Sequence, residues 1–163
     1  MFQLIHRLVP PGLHRTALRV AHGLRKRWWR LAQVQLSGCR VVARDPAGRV
    51  LLVRHSYGSR RWMLPGGGIA RGEDGLTAAT RELREETGCR LAEARLVELV
   101  EEPLAGTINR VHVVTGITSD QPQADGRELI DARFFAADAL PDNLARGLAE
   151  ALPSWLAGAS ADH

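Results

Sequence analysis

Apolar residues return along this chain with two different periods, and the change from one to the other marks out its elements. Between Leu13 and Leu31 the residues Leu13, Ala17, Val20, Ala21, Leu24, Trp28 and Leu31 recur at helical spacing, with Arg15, Arg19, His22, Lys26 and Arg30 between them. This pattern predicts a basic amphipathic helix begun after Pro10-Pro11. From Cys39 the pattern turns to strands: Cys39 to Arg44 and Arg49 to His55 are rich in Val and Leu, and Asp45-Pro46-Ala47-Gly48 between them has turn chemistry. The pair reads as a β-hairpin. Trp62 to Leu64 reads as a short strand that Pro65 and the following glycines end. A second helix is expected over about Asp74 to Thr87, with Leu76, Ala79 and Leu83 toward the core and Gly88 placed to cap its C-terminus. Leu91 to Val100, Ile108 to Ile117 and Leu129 to Phe135 read as three further strands, with loops at Pro103 to Thr107 and Ser119 to Gly126. A final short helix is introduced by Asp138 and Pro141-Asp142 and runs to about Leu152, where Pro153 is expected to end it.

Strands and helices in this order indicate one α/β domain over residues 38–156, preceded by a helical extension over residues 1–37 and followed by a frayed tail over residues 157–163. At 163 residues, 45% hydrophobic and 25% charged, the chain is long enough to bury a core. Cys39 and Cys89 are too few for a disulfide framework and form no metal-ligand pattern, so reduced thiols are expected. No run approaches the roughly 20 apolar residues of a membrane span, and no secretory signal is legible. A soluble, cytoplasmic protein is the expectation. The formal charge of +4 hides an asymmetry, because no acid precedes Asp45 while nine basic residues do, leaving 13 basic against 18 acidic residues in the remainder. Overall basicity therefore belongs to the N-terminal segment, and no specific nucleic-acid partner is predicted from it.

The candidate chemistry lies between Gly66 and Cys89. A glycine-rich turn leads into the helix carrying Glu82, Glu85 and Glu86, which three- and four-residue spacing places on one face. Three carboxylates so close repel one another, and a hard divalent cation relieves the repulsion; Mg2+ is the usual partner of substrate phosphates. Just upstream, Arg54, His55, Tyr57, Arg60 and Arg61 form a basic, partly aromatic loop suited to phosphate contact. Trp62 is a candidate to stack on a base, with a core tryptophan as the competing reading. Glu-x-x-Glu-Glu alone equally describes a charged helix face.

Gly67, five residues, Glu73, seven residues, then Arg81-Glu82-Leu83-Arg84-Glu85-Glu86-Thr87-Gly88-Cys89 resembles the full signature of the Nudix hydrolases, departing only at Cys89, where a bulky aliphatic residue is usual. The resemblance covers roughly Gly38 to Leu152. It implies an α/β/α sandwich around a mixed sheet, and Mg2+-dependent hydrolysis, with Mn2+ as a substitute, of a pyrophosphate bond in a nucleoside diphosphate linked to another group. Glu82, Glu85 and Glu86 then bind or act through the metal with the carbonyl of Gly67, and Arg81 is a clamp on Glu85 or Glu73. Glu128, in a segment similar to one near the end of the family's domain, is the candidate further ligand or general base; Glu101 and Glu102 compete with it. A nucleoside triphosphate is the default substrate class. Pro103, 14 positions beyond Cys89, keeps an ADP-ribose or nucleotide-sugar pyrophosphatase as an alternative, and a non-hydrolytic nucleotide-binding or regulatory module is the alternative of another class. The resemblance does not reach the N-terminal helix. Its apolar stripe calls for burial on the domain or in a homodimer, with membrane-surface contact through residues 12–32 or an acidic partner such as RNA as other readings.

Overall fold

The computed structural model describes residues 36–56, 58–104, 107–124 and 128–158. Tyr57, nearly all of the expected N-terminal extension and most of the expected tail lie outside them. Six strands and two helices follow one another: β1 (Leu36–Arg44), β2 (Val50–His55), β3 (Trp62–Met63), α1 (Gly75–Thr87), β4 (Ala92–Leu104), β5 (Thr107–Ile117), β6 (Leu129–Phe135) and α2 (Leu148–Gly158). The strands form one mixed sheet in the order β3-β2-β1-β5-β4, with β6 added on β2.

Two faces of the sheet collect two cores, and the period of two along each strand decides which residue joins which. Cys39, Val41, Ala43, Leu51 and Val114 pack with Ala78, Ala79 and Leu83 of α1. Val42, Val50, Leu52 and Val113 pack instead with Trp62, Leu64 and with Leu148, Leu152 and Trp155 of α2. The result is a helix on each face of a mixed sheet, the α/β/α sandwich expected from sequence. No helix among the described residues is long and apolar enough to cross a membrane.

One local expectation holds over a short span and another is corrected. The segment from Asp45 to Arg49 does turn, because the Asp45 carboxylate accepts from the backbone N–H of Ala47 and Arg49 at 3.0 and 2.8 Å. The strands it joins pair antiparallel as expected, at Arg44 with Val50, and then part. Along its whole length β1 runs parallel to β5, from Leu36 beside Asn109 to Arg44 beside Ile117. The strand β2 pairs antiparallel with β6. Burial of both faces of β1 and β2 explains why each is claimed by a different neighbour.

Helix α2 begins later than expected and runs through Pro153. Leu148, Leu152 and Trp155 repeat at spacings of four and three and are all buried, so packing against the sheet holds the helix across the backbone hydrogen bond that proline cannot make. The helix thus takes in Ala157 and Gly158, which the sequence assigns to a frayed tail.

Candidate active site

Helix α1 is fixed at both ends by its own sequence. The Asp74 carboxylate accepts from the N–H groups of Leu76 and Thr77 at 2.9 Å, and the Thr77 hydroxyl donates to it at 2.6 Å. At the other end Gly88, at φ 75°, donates its N–H to the Arg84 carbonyl at 3.0 Å. The caps set where the glutamates stand.

The glycine turn is held by β1. Cys39 N–H donates to the Gly67 carbonyl, Val41 N–H to the Pro65 carbonyl, and Ile69 N–H to the Ser37 carbonyl, each at 2.9 Å. Gly66 has φ 151°, and a Cβ there would stand 2.1 Å from the Cys39 carbonyl oxygen, so only glycine fits. A Cβ on Gly67 would meet the Glu82 carboxylate at 2.4 to 2.5 Å. The turn is bare because α1 lays its carboxylates on it: Glu86 also accepts from the Gly66 N–H at 3.1 Å.

One guanidinium organises the cluster. Arg81 donates through Nε and Nη2 to the two oxygens of Glu73 at 2.9 and 3.0 Å, through Nη1 to Glu82 at 2.8 Å and Glu85 at 3.4 Å, and to the Gly68 carbonyl at 3.1 Å. The paired carboxylates push the Arg81 pKa upward, so it stays charged. The helix face is not uniform: the side chains of Glu82 and Glu86 are 17% and 11% exposed, while Glu85 is 63% exposed. Glu82 and Glu86 are the inner pair.

His55, at the end of β2, brings Nε2 to 3.7 Å from the Glu86 carboxylate. The next residue, Ser56, donates its N–H to the Glu128 carbonyl at 2.8 Å, which places Glu128 beside this end of β2. The predicted carboxylate from outside the helix thus borders the cluster through its backbone, and its side chain is exposed. Glu101 and Glu102 are engaged elsewhere, with Arg110 and Arg40.

Three of the expected substrate contacts have other duties. Trp62 is 8% exposed and meets Phe135 edge to face at 4.9 Å, so it is a core residue and offers no face to a base. Arg54 lies 5.2 Å over the Trp62 ring and 3.5 Å from Asp131, and Arg61 donates to the Leu144 carbonyl at 3.3 Å. The Gly67 carbonyl, expected to face a metal, already accepts from Cys39, leaving one lone pair for any other role.

Sequence reasoning did not find the Gly66 N–H as a Glu86 partner, nor the partnership of His55 with Glu86. It also missed Arg40 and Glu102, a bidentate pair at 2.6 and 2.8 Å. The two sit 62 positions apart, and only the strand order brings them together. They line a cavity of about 250 Å³ with Met63, Leu64, Arg146 and Trp155. Leu64, in its wall, is two residues before Gly66.

The donors suit a hard divalent cation in kind. Glu82, Glu85, Glu86 and Glu73 supply only oxygen, and the single Arg81 charge leaves the four carboxylates in excess. Among the described residues no three such side chains yet converge on one point at coordinating distance, because Arg81 draws Glu82 and Glu85 toward itself.

Several carboxylates here and nearby are held below their ordinary pKa. Arg81 does this for Glu73, Thr77 for Asp74 and Arg90 for Asp120; at Asp45 burial opposes the shift and the hydrogen bonds from Arg49 and Ala47 outweigh it. A depressed folded-state pKa contributes stability above the unfolded value and loses it as pH falls through the folded one. We expect a melting temperature nearly level from pH 7 to 5 that falls below about pH 4, where these groups begin to protonate. Melting curves across that range check it; a level response down to pH 3 would show that these pairs carry no net stability.

An acidic helix laid on a glycine turn, over a mixed sheet with a helix on each face, defines an α/β sandwich with an oxygen-donor site. The family model for the NUDIX domain matches residues 35–155, and the chain belongs to that family. A Bacillus subtilis protein provisionally named 8-oxo-dGTP diphosphatase is 31% identical over 105 residues, which is 64% of this chain and 68% of that one. The ADP-ribose pyrophosphatase of Mycobacterium tuberculosis is 37% identical over 95 residues, covering 54% of this chain and 46% of its own length. Among solved structures, a MutT NUDIX hydrolase from Burkholderia pseudomallei superposes with a TM-score of 0.66 at 28% identity, over 74% of this chain and 98% of that one.

Proposed function

We propose that the chain is a pyrophosphohydrolase that uses Mg2+, with Mn2+ as a substitute, to cleave a pyrophosphate bond in a nucleoside diphosphate linked to another group, a nucleoside triphosphate being the first substrate class. The observation that carries this is the inner pair Glu82 and Glu86 on the bare glycine turn, in a cluster that Arg81 ties together. When bound, the cation neutralises the substrate phosphates, polarises a phosphoryl oxygen and acidifies a water.

The chain's own residues do the rest. Glu82, Glu85 and Glu86 hold the cation, with the second lone pair of the Gly67 carbonyl as a further donor. Arg81 fixes the carboxylate rotamers through Glu73, Glu82 and Glu85. In this reading Glu128, whose backbone carbonyl accepts from the Ser56 N–H next to His55, takes a proton from the attacking water. The cavity with the Arg40–Glu102 pair is large enough for a nucleobase and receives the nucleoside. An ADP-ribose or nucleotide-sugar substrate is the second reading, favoured by the Mycobacterium relative.

The test is a screen of nucleoside triphosphates, ADP-ribose and nucleotide sugars for released phosphate or pyrophosphate and for nucleotide products. Turnover of at least one class is expected with Mg2+ or Mn2+, and its loss on adding EDTA. Tight nucleotide binding with no hydrolysis of any would instead favour a binding module.

A further inference from the structure

We propose, on the reading that the cavity lined by Arg40 and Glu102 receives the nucleoside, that this pair selects guanine: Glu102 accepts from N1–H and N2–H of the base, and Arg40 donates to its O6 and N7. The walls of the cavity are largely apolar, with Met63, Leu64, Leu148 and Trp155 among them. Such walls hold a base by its flat faces, and the few polar groups tell one base from another. Among the described lining residues Glu102 is the only carboxylate. Glu98, four positions earlier on β4, accepts from the Trp155 indole N–H instead.

The pair is not a contact between neighbouring strands. Arg40 stands on β1 and Glu102 on β4, with β5 between them, so the two side chains meet across the middle strand. Each Glu102 oxygen accepts one bond from the guanidinium, from Nη1 at 2.6 Å and from Nη2 at 2.8 Å. The side chains are nonetheless 38% and 34% exposed. An ion pair so open to water contributes little stability, and exchanging it for other partners costs little.

Guanine is the base that fits such an exchange. An ionised carboxylate only accepts, and two adjacent parallel donors suit its two oxygens. N1–H, C2 and N2–H of guanine form a guanidine unit with the same fork that Glu102 already takes from Arg40. Adenine and cytosine set their amino group beside a ring acceptor, and uracil flanks its N–H with two carbonyls, so none of them offers that fork. Once displaced, Arg40 turns its own fork on O6 and N7, the acceptor pair of the adjoining edge and the commonest specific partner of arginine on a base. One bidentate contact within the protein thus becomes two with the ligand, while the free protein keeps both charges paired. Oxidation of the base at C8 turns N7 into an N–H donor that opposes the Arg40 donors, so the same exchange disfavours 8-oxoguanine.

The test compares kcat/KM of the full chain with Mg2+ for GTP, ATP, CTP, UTP, inosine triphosphate, 7-deaza-GTP and 8-oxo-GTP. GTP is expected to lead each of the others by at least about tenfold, since the inosine base lacks N2–H, 7-deazaguanine lacks N7 and 8-oxoguanine carries a proton there. Glu102→Gln presents one acceptor and one donor, which match N1 and the amino group of adenine, and should cut the ratio of GTP to ATP at least about tenfold with a nearly unchanged melting temperature. A mere strut between strands would move the melting temperature and leave that ratio alone. Calorimetry with non-hydrolysable methylene analogues of GTP and ATP separates this inference from the hydrolase reading. Guanine-selective binding without turnover would support the base assignment and sink the hydrolase. Turnover led by ATP or 8-oxo-GTP, turnover with no base preference, or an unchanged ratio in Glu102→Gln would overturn the base assignment and leave the hydrolase standing. Neither binding nor turnover would overturn both.

Discussion

Glu86→Gln is expected to lower kcat by at least about a hundredfold while leaving the fold intact. The Glu86 carboxylate accepts from the Gly66 N–H at 3.1 Å, and the glutamine amide oxygen can still accept that bond. What the substitution removes is the negative charge of one of the two inner carboxylates, the quantity a cation binds. Kinetics at saturating Mg2+, beside melting curves of both proteins, separate these effects. The melting temperature without metal should be nearly unchanged, or slightly raised by relief of repulsion with Glu82. Full activity would remove Glu86 from the metal site, and a large drop in melting temperature would mean that its role is structural.

Arg81→Ala is expected to be as damaging to turnover, about a hundredfold, by a different route. Arg81 bonds to Glu73, Glu82, Glu85 and the Gly68 carbonyl, so its removal frees three carboxylates and the glycine turn at once. Without metal the variant should melt earlier than the parent. Because its site carries one more uncompensated negative charge, saturating Mg2+ should raise its melting temperature by more than it raises the parent's. Arg81→Lys keeps the charge and loses the planar fork, and should fall between the two. Were Arg81 instead a substrate contact alone, KM would rise with melting unchanged in all three proteins.

Much of this was legible in the sequence, for reasons that are local. Asp74 and Gly88 announce the ends of α1, and three- and four-residue spacing sets Glu82 beside Glu86. The strands from Cys39 to Phe135 show in their β-branched and aliphatic runs. Where sequence reading failed, distant parts of the fold decided. Pro153 should stop a helix, but Leu148, Leu152 and Trp155 have a sheet to bury against. The turn at Asp45 and the antiparallel pairing it starts were read correctly, but not the long ladder of β1 with β5, more than sixty residues on. Trp62 stayed open between base and core because nothing near it in sequence foretells Phe135. The uneven exposure of Glu82, Glu85 and Glu86 likewise depends on Arg81 and the glycine turn, which helical spacing alone cannot register.

The pairing of β1 with β5 bears on the order in which this molecule assembles. The glycine turn is tied to β1 through Cys39 and Val41, and β1 has one residue pair with the strand that follows it but a full ladder with a strand that starts at Thr107. Closing that ladder joins Leu36 to Asn109 across most of the domain, a loop whose entropy must be overcome before the contacts form. A nascent chain that has emerged only as far as Cys89 holds the whole signature and β1, and still lacks the strand with which β1 forms its ladder. Catalytic competence therefore arrives late in synthesis, with β5, although the residues that define it are made early.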